Sequence, residues 1–466
     1  MKQLVLLLDG TWDNTDTSDR DTNIARLRGL LDRSLSHAGH AGPPSGHGGL
    51  WKPRRFAENG HECVVYYQPG LGSTTDRIQR QMESAAFGEG MAFKIREGYK
   101  FLAQNYAPGD KVYILGFSRG AFAARSLAGY VAAAGLLRPE ACTPAMEARA
   151  WAYYRQKPAD RFPADRLELA AHVWRDDEFA IDLLAVFDTV GALGIPLVAF
   201  SRANAAKYGF HDVELNRITR VNLQALAVDE HREAYCAALW QRTPFLDFGG
   251  KVEQVWFAGA HADVGGSMVV EARRKSLPQP QLDDISLDWM LKRIRLHLPD
   301  FPIDPRLGPH LAGTRDYLAP QHEMRQMAWR LLRTNLRAIA NTPVPDSWLH
   351  FVQASGYDRH AEALHESIHQ SVIERLGHYV DVSGDALFYS PENLMVVFDQ
   401  ITATYMRVPG LAQPARQIRI VDWAGHPLNP YDAGECAAAA TLLLAARERL
   451  KLPALPGLDQ GAPPAL

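Results

Sequence analysis

The chain has few cysteines and little net charge, and each of these features argues against a class of protein. Its 466 residues include four cysteines that stand far apart and form no CxxC pair. Such spacing argues against a structural zinc site and gives no disulfide framework. The formal net charge is −3, which gives no reason to expect a nucleic-acid partner. We predict no metal and no cofactor.

The chain also lacks a long apolar segment of the kind that spans a membrane or directs secretion. Lys2 and the apolar run Leu4–Leu8 resemble the start of a signal peptide, but Asp9 ends the run. A signal peptide needs an apolar region of about seven residues or more. We therefore expect synthesis and folding in the cytoplasm. With 47% apolar and 22% charged residues, the chain is expected to bury a large core.

The sequence LGFSRG carries the pattern G-x-S-x-G between an apolar run and an alanine-rich stretch. Residues 111–115 predict a strand and residues 121–128 predict a helix. A serine on a sharp strand-to-helix turn needs glycine two residues before and two residues after it, here Gly116 and Gly120, because a side chain there would clash. The pattern recurs by chance, but this context makes Ser118 a candidate nucleophile.

A serine hydroxyl is a weak nucleophile unless a histidine base and an orienting carboxylate act on it. In the α/β-hydrolase fold these partners follow the serine in the order acid, then histidine. The apolar run 183–187 ends in Asp188, and a second run, 255–258, leads through Gly259 to His261. Active-site residues of open α/β sheets lie at such strand ends. We predict Asp188 as the acid and His261 as the base.

Asp263 is the alternative acid, since it lies two residues from His261. A neighbour that close rarely folds back onto the imidazole, and the Val-Gly-Gly that follows suits an Asp that accepts backbone hydrogen bonds and fixes the turn. Other histidines occur in polar settings with no strand leading into them, and they rank lower as bases. Examples are His211, His231 and His360.

The amino-terminal apolar run ends in Asp9-Gly10-Thr11, which predicts a loop at the edge of the sheet. An oxyanion hole takes one amide from the residue after the nucleophile, here Arg119, and one from a loop after an earlier strand. Gly10 or Thr11 is the expected second donor, with Asp9 as a supporting residue. The acids between Asp9 and Asp21 lack the spacing of a calcium loop.

Five blocks in this order resemble a bacterial α/β-hydrolase family that includes the first class of type VI secretion lipase effectors. The blocks are Asp9–Trp12, Gly116–Phe122, Phe187–Gly191, Ala227–Arg232 and Gly259–Gly266. The similarity runs to about Trp289, and the last third matches less clearly. The resemblance implies phospholipase A or broader lipid esterase activity, with a triad of Ser118, Asp188 and His261.

The resemblance further implies a membrane phospholipid substrate, and a secretion spike protein and an immunity protein as partners. An effector of this kind leaves the cell without a cleaved signal peptide. The lack of such a signal therefore fits a toxin delivered into a target cell envelope and a housekeeping enzyme equally. Two alternatives stay open: a cytoplasmic esterase or depolymerase with no toxin role, and a non-catalytic binding module on a hydrolase fold.

The alternation of predicted strands and helices indicates an α/β-hydrolase fold with a mostly parallel, doubly wound sheet. We predict a catalytic core over residues 1–270, with helical insertions covering the catalytic face at about 36–60, 140–178 and 195–246. Residues 271–466 are expected to form a mostly helical lid or accessory region that returns to the core.

Overall fold

One central sheet of nine strands organises the part of the chain that the computed structural model describes. The described residues are 1–10, 22–36, 53–58, 61–70, 87–156, 160–190, 215–232, 235–241, 250–267, 281–309, 311, 316–324, 336–340, 364–407, 418–453 and 455.

The strands and helices alternate along the first two thirds of the described chain. The strands are β1 (Lys2–Leu8), β2 (Arg54–Glu58), β3 (His61–Gln68), β4 (Lys111–Phe117), β5 (Ile181–Phe187), β6 (Thr219–Ala227), β7 (Lys251–Phe257), β8 (Glu366–His369), β9 (Tyr379–Val382), β10 (Asp385–Phe388) and β11 (Arg419–Val421). The helices are α1 (Asn23–Ser36), α2 (Phe87–Asn105), α3 (Arg119–Ala134), α4 (Pro144–Arg155), α5 (Pro163–Ala170), α6 (His261–Gly265), α7 (Leu282–His297), α8 (Gln370–Arg375), α9 (Glu392–Met406) and α10 (Ala433–Arg449).

The strand order in the sheet is β11-β8-β7-β6-β5-β4-β1-β3-β2. All neighbours pair in parallel except β2, which runs antiparallel to β3 at the edge. Strand β3 pairs with one edge of β1, and β4, which comes next in the chain, pairs with the other edge. The strand order therefore reverses between β1 and β4, where open α/β sheets form ligand crevices.

Strand β1 shows why the sheet is covered on both faces. Leu4, Leu6 and Leu8 pack in the same core as residues of α2 and α3, whereas Val5 and Leu7 pack with residues of α1 and α7. Successive side chains of a strand point to opposite faces, so a continuous apolar run requires helices on both. The predicted α/β-hydrolase fold with a doubly wound, mostly parallel sheet is confirmed.

Two of the predicted insertions supply strands. The segment 36–60 contains β2, which extends the sheet edge. The segment 195–246 contains β6, which lies between β5 and β7 in the middle of the sheet. Residues 219–227 therefore belong to the core sheet.

The predicted insertion 140–178 forms α4 and α5. Trp151 and Tyr154 of α4 contact the ring of Tyr130, which lies near the end of α3. Helix α3 begins next to Ser118, twelve residues earlier, and a helix rises about 1.5 Å per residue. Helix α4 therefore packs near the end of α3 that lies away from Ser118.

The region after residue 270 joins the sheet as well as adding helices. Strand β8 pairs with β7, and β11 pairs with β8. Helices α9 and α10 pack on this end of the sheet around the buried Trp256. Strands β9 and β10 form a separate antiparallel hairpin. Among the helices that the structure describes, none has the length and apolar character needed to cross a membrane.

Candidate active site

Ser118 occupies a strained turn between β4 and α3. Its φ is 57° and its ψ is −122°, a conformation that costs a residue with a side chain about 1 to 3 kcal/mol. A Cβ on Gly120 would lie 2.0 Å from the carbonyl oxygen of Leu8, and one on Gly116 would lie 2.6 Å from the carbonyl oxygen of Gly120. Both positions need glycine because the helix start packs against the backbone of β1 and β4.

His261 lies between Ser118 and Asp188. Its Nε2 atom is 2.8 Å from Ser118 Oγ, and its Nδ1 atom is 2.6 Å from Asp188 Oδ2. An ionised carboxylate only accepts hydrogen bonds, so Nδ1 carries the proton and Nε2 accepts from the serine hydroxyl. All three side chains are buried, with residue exposures of 5% for Ser118, 6% for His261 and 0% for Asp188.

The parallel register brings these residues to one edge of the sheet. Phe117 pairs with Phe187, so Ser118 and Asp188 follow neighbouring strand ends. The Ser118 amide donates to Phe187 O at 3.1 Å, which continues the ladder past β4. His261 follows β7 and begins the short helix α6. The structure thus brings together the three residues that the sequence predicts as nucleophile, acid and base.

Asp188 is held by an ion pair that sequence reasoning did not predict. The guanidinium of Arg337 donates to Asp188 Oδ1 at 2.6 Å and to Oδ2 at 2.9 Å. The Ala227 amide also donates to Oδ1, at 2.9 Å. Burial by itself raises the pKa of Asp188, but the charge of Arg337 and the contact with His261 outweigh it and hold that pKa well below its usual range.

The imidazole of His261 is held neutral by its surroundings. Burial lowers its pKa, and the opposing effect of Asp188 does not restore the usual value. The ring stacks on Phe117 with centroids 4.7 Å apart and meets the ring of Tyr235 edge-on at 5.0 Å. A neutral, oriented imidazole is the form that can accept a proton from a serine hydroxyl.

Asp263 contacts other groups than the imidazole of His261. Its Oδ2 accepts from the Ala260 amide at 2.9 Å and from the His322 amide at 3.1 Å, and its Oδ1 pairs with His322 Nδ1. These bonds fix the turn before α6, the contribution predicted for Asp263. Of the two candidate acids, Asp188 is the one beside the base.

The block 227–232 supports the loop that carries His261. Asp229 Oδ2 accepts from the Gly259 amide at 2.6 Å. Glu230 Oε2 accepts from the His261 amide at 3.3 Å and is paired with the buried guanidinium of Arg232. From the sequence, the signal that connects this block to the site is its part in the family resemblance.

The three residues predicted as oxyanion donors are Arg119, Gly10 and Thr11, and the structure describes the first two. Arg119 is the first residue of α3, so its amide lies at the positive end of the helix dipole. The Gly10 amide donates to Asp9 Oδ1 at 2.7 Å, so in this conformation it is already engaged by a carboxylate. Thr11 lies outside the described residues.

Asp9 is buried and forms several hydrogen bonds. Beyond the Gly10 amide it accepts from the hydroxyls of Thr22 and Tyr67, at 2.8 Å and 2.7 Å. Burial raises the pKa of Asp9 against the lowering effect of these bonds. In the described part of the chain, no three His, Cys, Asp or Glu side chains are grouped to hold a metal ion.

The three other histidines considered as bases do not appear in the hydrogen-bonded series of Ser118, His261 and Asp188 within the described residues. His211 and His360 lie outside the described residues. His231 is partly buried in the block that supports the His261 loop. The base that contacts Ser118 is His261.

A serine on a strand-turn-helix elbow, at the reversal point of a mostly parallel sheet, defines a protein of the α/β-hydrolase class. Within that class, residues 2–293 match the family described as T6SS phospholipase effector Tle1-like, catalytic domain. This match covers more than half of the chain. The chain belongs to the Tle1-like phospholipase effector family.

Two further proteins are similar over part of the chain. An uncharacterized protein of Saccharomyces cerevisiae, YEL023C, is 30% identical over 214 residues, which are 42% of this chain and 27% of the yeast protein. A solved structure of an uncharacterized protein from Pseudomonas aeruginosa is 15% identical and covers 61% of this chain, with a TM-score of 0.32. The chain spans 44% of that second protein.

Proposed function

We propose that this protein is a serine esterase that hydrolyses the carboxylic esters of membrane phospholipids, with phospholipase A-type activity. The observation that carries the proposal is the hydrogen-bonded series from Ser118 Oγ through His261 to Asp188, with contacts of 2.8 Å and 2.6 Å. The family description supplies the lipid class. The complete series argues against a non-catalytic binding module.

In the proposed reaction, Ser118 Oγ attacks the ester carbonyl carbon as His261 Nε2 removes the hydroxyl proton. Asp188 stabilises the imidazolium that forms, and its contact with Nδ1 keeps the ring oriented. The Arg119 amide donates to the developing oxyanion, together with an amide of the Gly10–Thr11 loop. A shift of Asp9 away from the Gly10 amide would release that donor.

The second half of the reaction returns the enzyme to its starting state. His261 gives its proton to the leaving alcohol oxygen, which departs as a lysophospholipid and leaves a fatty acyl ester on Ser118. Water then attacks this ester, again with His261 as base, and free fatty acid is released. Neither half-reaction calls on a metal or a cofactor in its proton transfers.

The biological setting that we propose is a type VI secretion effector directed against bacterial envelope lipids. The family description supports this setting, because it names effectors of that secretion system. Such an effector would be made in the cytoplasm and would bind a secretion spike protein and an immunity protein. A cytoplasmic esterase or depolymerase with the same catalytic residues is the competing interpretation.

The test is product analysis after incubation of the purified protein with mixed bacterial phospholipids. We expect free fatty acid and lysophospholipid from the native protein and neither product from Ser118→Ala. The alanine variant removes one oxygen at a turn whose strain does not depend on the hydroxyl, so it should remain folded. Equal fatty acid release by both proteins would refute Ser118 as the nucleophile.

A further inference from the structure

Arg337 lies in a described stretch, residues 336–340, that follows the family match by more than forty residues. Its side chain is 3% exposed and pairs with the fully buried Asp188. The two residues are 149 positions apart in the chain. The carboxyl-terminal region thus places a buried positive charge against the carboxylate that contacts His261.

The guanidinium is fixed from several sides. It forms two bonds to the two carboxylate oxygens, and it also donates to Ala227 O at 2.8 Å and to Tyr235 O at 2.6 Å. The Arg337 carbonyl in turn accepts from the Asn393 side chain of α9 at 3.2 Å. A planar guanidinium bound on both carboxylate oxygens sets the plane and position of that carboxylate.

We propose that Arg337 is a positioning residue of the active site, which orients Asp188 toward His261 Nδ1 and keeps the histidine–aspartate pair from taking up a second proton. This inference rests on the proposed serine chemistry. The Ala227 amide binds only Oδ1 and His261 binds only Oδ2, whereas the planar guanidinium of Arg337 binds both oxygens and so fixes the plane of the carboxylate. Its charge makes any additional proton on the pair less favourable.

Other charged groups face the same pair and do not substitute for Arg337. Glu230 and Arg232 form their own buried ion pair, with contacts between 2.7 Å and 2.9 Å, so their charges largely offset each other. Within the described chain, Arg337 is the cation that contacts Asp188 directly. Removing its charge should therefore raise the pH at which the pair binds a proton.

The test measures how the rate of covalent labelling of Ser118 by a fluorophosphonate depends on pH. In this reaction Ser118 Oγ bonds to phosphorus, fluoride leaves, and the hydroxyl proton passes to His261. The acid limb of this profile is the fall in rate at low pH, where His261 binds a proton. For Arg337→Gln we expect this limb to move upward by about 1 pH unit, the lower end of the effect of an arginine on a carboxylate that it contacts, because Arg337 acts on His261 through Asp188. The midpoint of a limb does not depend on the concentration of active enzyme, so partial unfolding does not hide the shift.

Arg337→Lys separates charge from geometry. Lysine keeps the charge but lacks the planar pair of donors, so the acid limb should stay in place while the plateau rate falls, by on the order of tenfold to a hundredfold. The matched control is Arg447→Gln. Arg447 is also buried, pairs with Asp399 and donates to Pro453 O, and its substitution should leave both the limb and the plateau unchanged.

The outcomes distinguish this inference from the proposed lipid activity. Labelling of the native protein without fatty acid release would refute the lipid substrate and still allow the pH comparison. An unchanged acid limb in Arg337→Gln would overturn the role of Arg337. A native protein that does not react at Ser118 would overturn both proposals. A shifted limb in Arg337→Gln alone, with the Arg447 control unchanged, supports the assignment.

Discussion

Replacing Asp188 by asparagine should damage catalysis and stability together. Asparagine keeps the shape of the side chain but loses its charge, and its amide nitrogen cannot accept a hydrogen bond. The native carboxylate accepts from His261 Nδ1 at 2.6 Å and twice from Arg337. In the variant the imidazole loses the partner that fixes its proton on Nδ1, and Arg337 is left buried without a counter-charge.

Each loss has an approximate magnitude. If Ser118, His261 and Asp188 act as a triad, a misplaced imidazole proton lowers kcat by about 10⁴-fold, or about 5 kcal/mol of transition-state stabilisation. Breaking a buried ion pair by removing one partner costs about 3 to 5 kcal/mol. For 466 residues the entropy of unfolding is about 1 kcal/mol per kelvin, so the Tm should fall by about 3 to 5 °C.

The assay compares kcat for ester hydrolysis and Tm for Asp188→Asn and Asp263→Asn. Asp263 holds the Ala260 amide and His322 but does not touch the imidazole of His261. We expect its variant to lose about 1 to 3 °C in Tm while kcat stays within about tenfold of the native value. The opposite pattern, with Asp263→Asn inactive at native Tm and Asp188→Asn active, would refute the assignment of the acid.

Three further predictions concern the pH dependence of the reaction, the packing of two glycines and the compartment in which the protein acts. Because burial lowers the pKa of His261 from its ordinary value of 6.5 and the base must be neutral, the fall of kcat/KM at low pH should have its midpoint below pH 6.5. A midpoint above 6.5 would contradict this. Gly120→Ala should lower Tm by about 3 °C or more, since the added Cβ would lie 2.0 Å from Leu8 O. The control is Gly29→Ala in α1, where an added Cβ has nothing within 4 Å and should raise Tm slightly. Equal Tm changes in the two variants would refute the packing argument. The native protein should inhibit bacterial growth more when an added signal peptide sends it to the periplasm than when it stays in the cytoplasm, and equal tolerance of active enzyme in both compartments would favour the cytoplasmic esterase.

Much of the fold could be predicted because its signals are local. The apolar run of β1, the strand-turn-helix around Ser118 and the acid that ends β5 each fall within about a dozen residues. Helix α10 also has local signals, since it is rich in alanine and Asp432 just before it accepts from the Glu435 amide at 2.9 Å. Local patterns of this length carry most of the information about secondary structure.

The parts that could not be predicted depend on contacts between distant segments. Strand β6 lies within residues 195–246, which the sequence predicts as an insertion, and Asn222 and Gln224 interrupt its apolar pattern. Both are buried, and Gln224 bonds to Ala238 O and to Gln254. Polar side chains inside a sheet are stable when their hydrogen bonds are satisfied, and those partners are not visible in the local sequence.

Arg337 shows the same limitation at the active site itself. The sequence around Arg337 predicts a surface residue, because no strand leads into it and arginine is rarely buried unless it is paired. Its partner is set by the fold, which brings Arg337 against Asp188 across 149 positions of the chain.

The region beyond the family match therefore belongs to the proposed catalytic unit in a physical sense. Strand β8 covers β7, which precedes His261, and Glu366 of β8 accepts from the indole of Trp256 at 2.8 Å and from the Ala340 amide at 3.2 Å. These bonds hold residues 336–340, and with them Arg337, against Asp188. Without β8, β7 would lose its neighbour on that side and become an edge strand. Without Arg337, the buried carboxylate of Asp188 would lose its counter-charge, and an unpaired buried charge costs several kcal/mol. Since a native domain is stable by about 5 to 15 kcal/mol, residues 2–293 alone would lose a large part of the stability that keeps His261 in place.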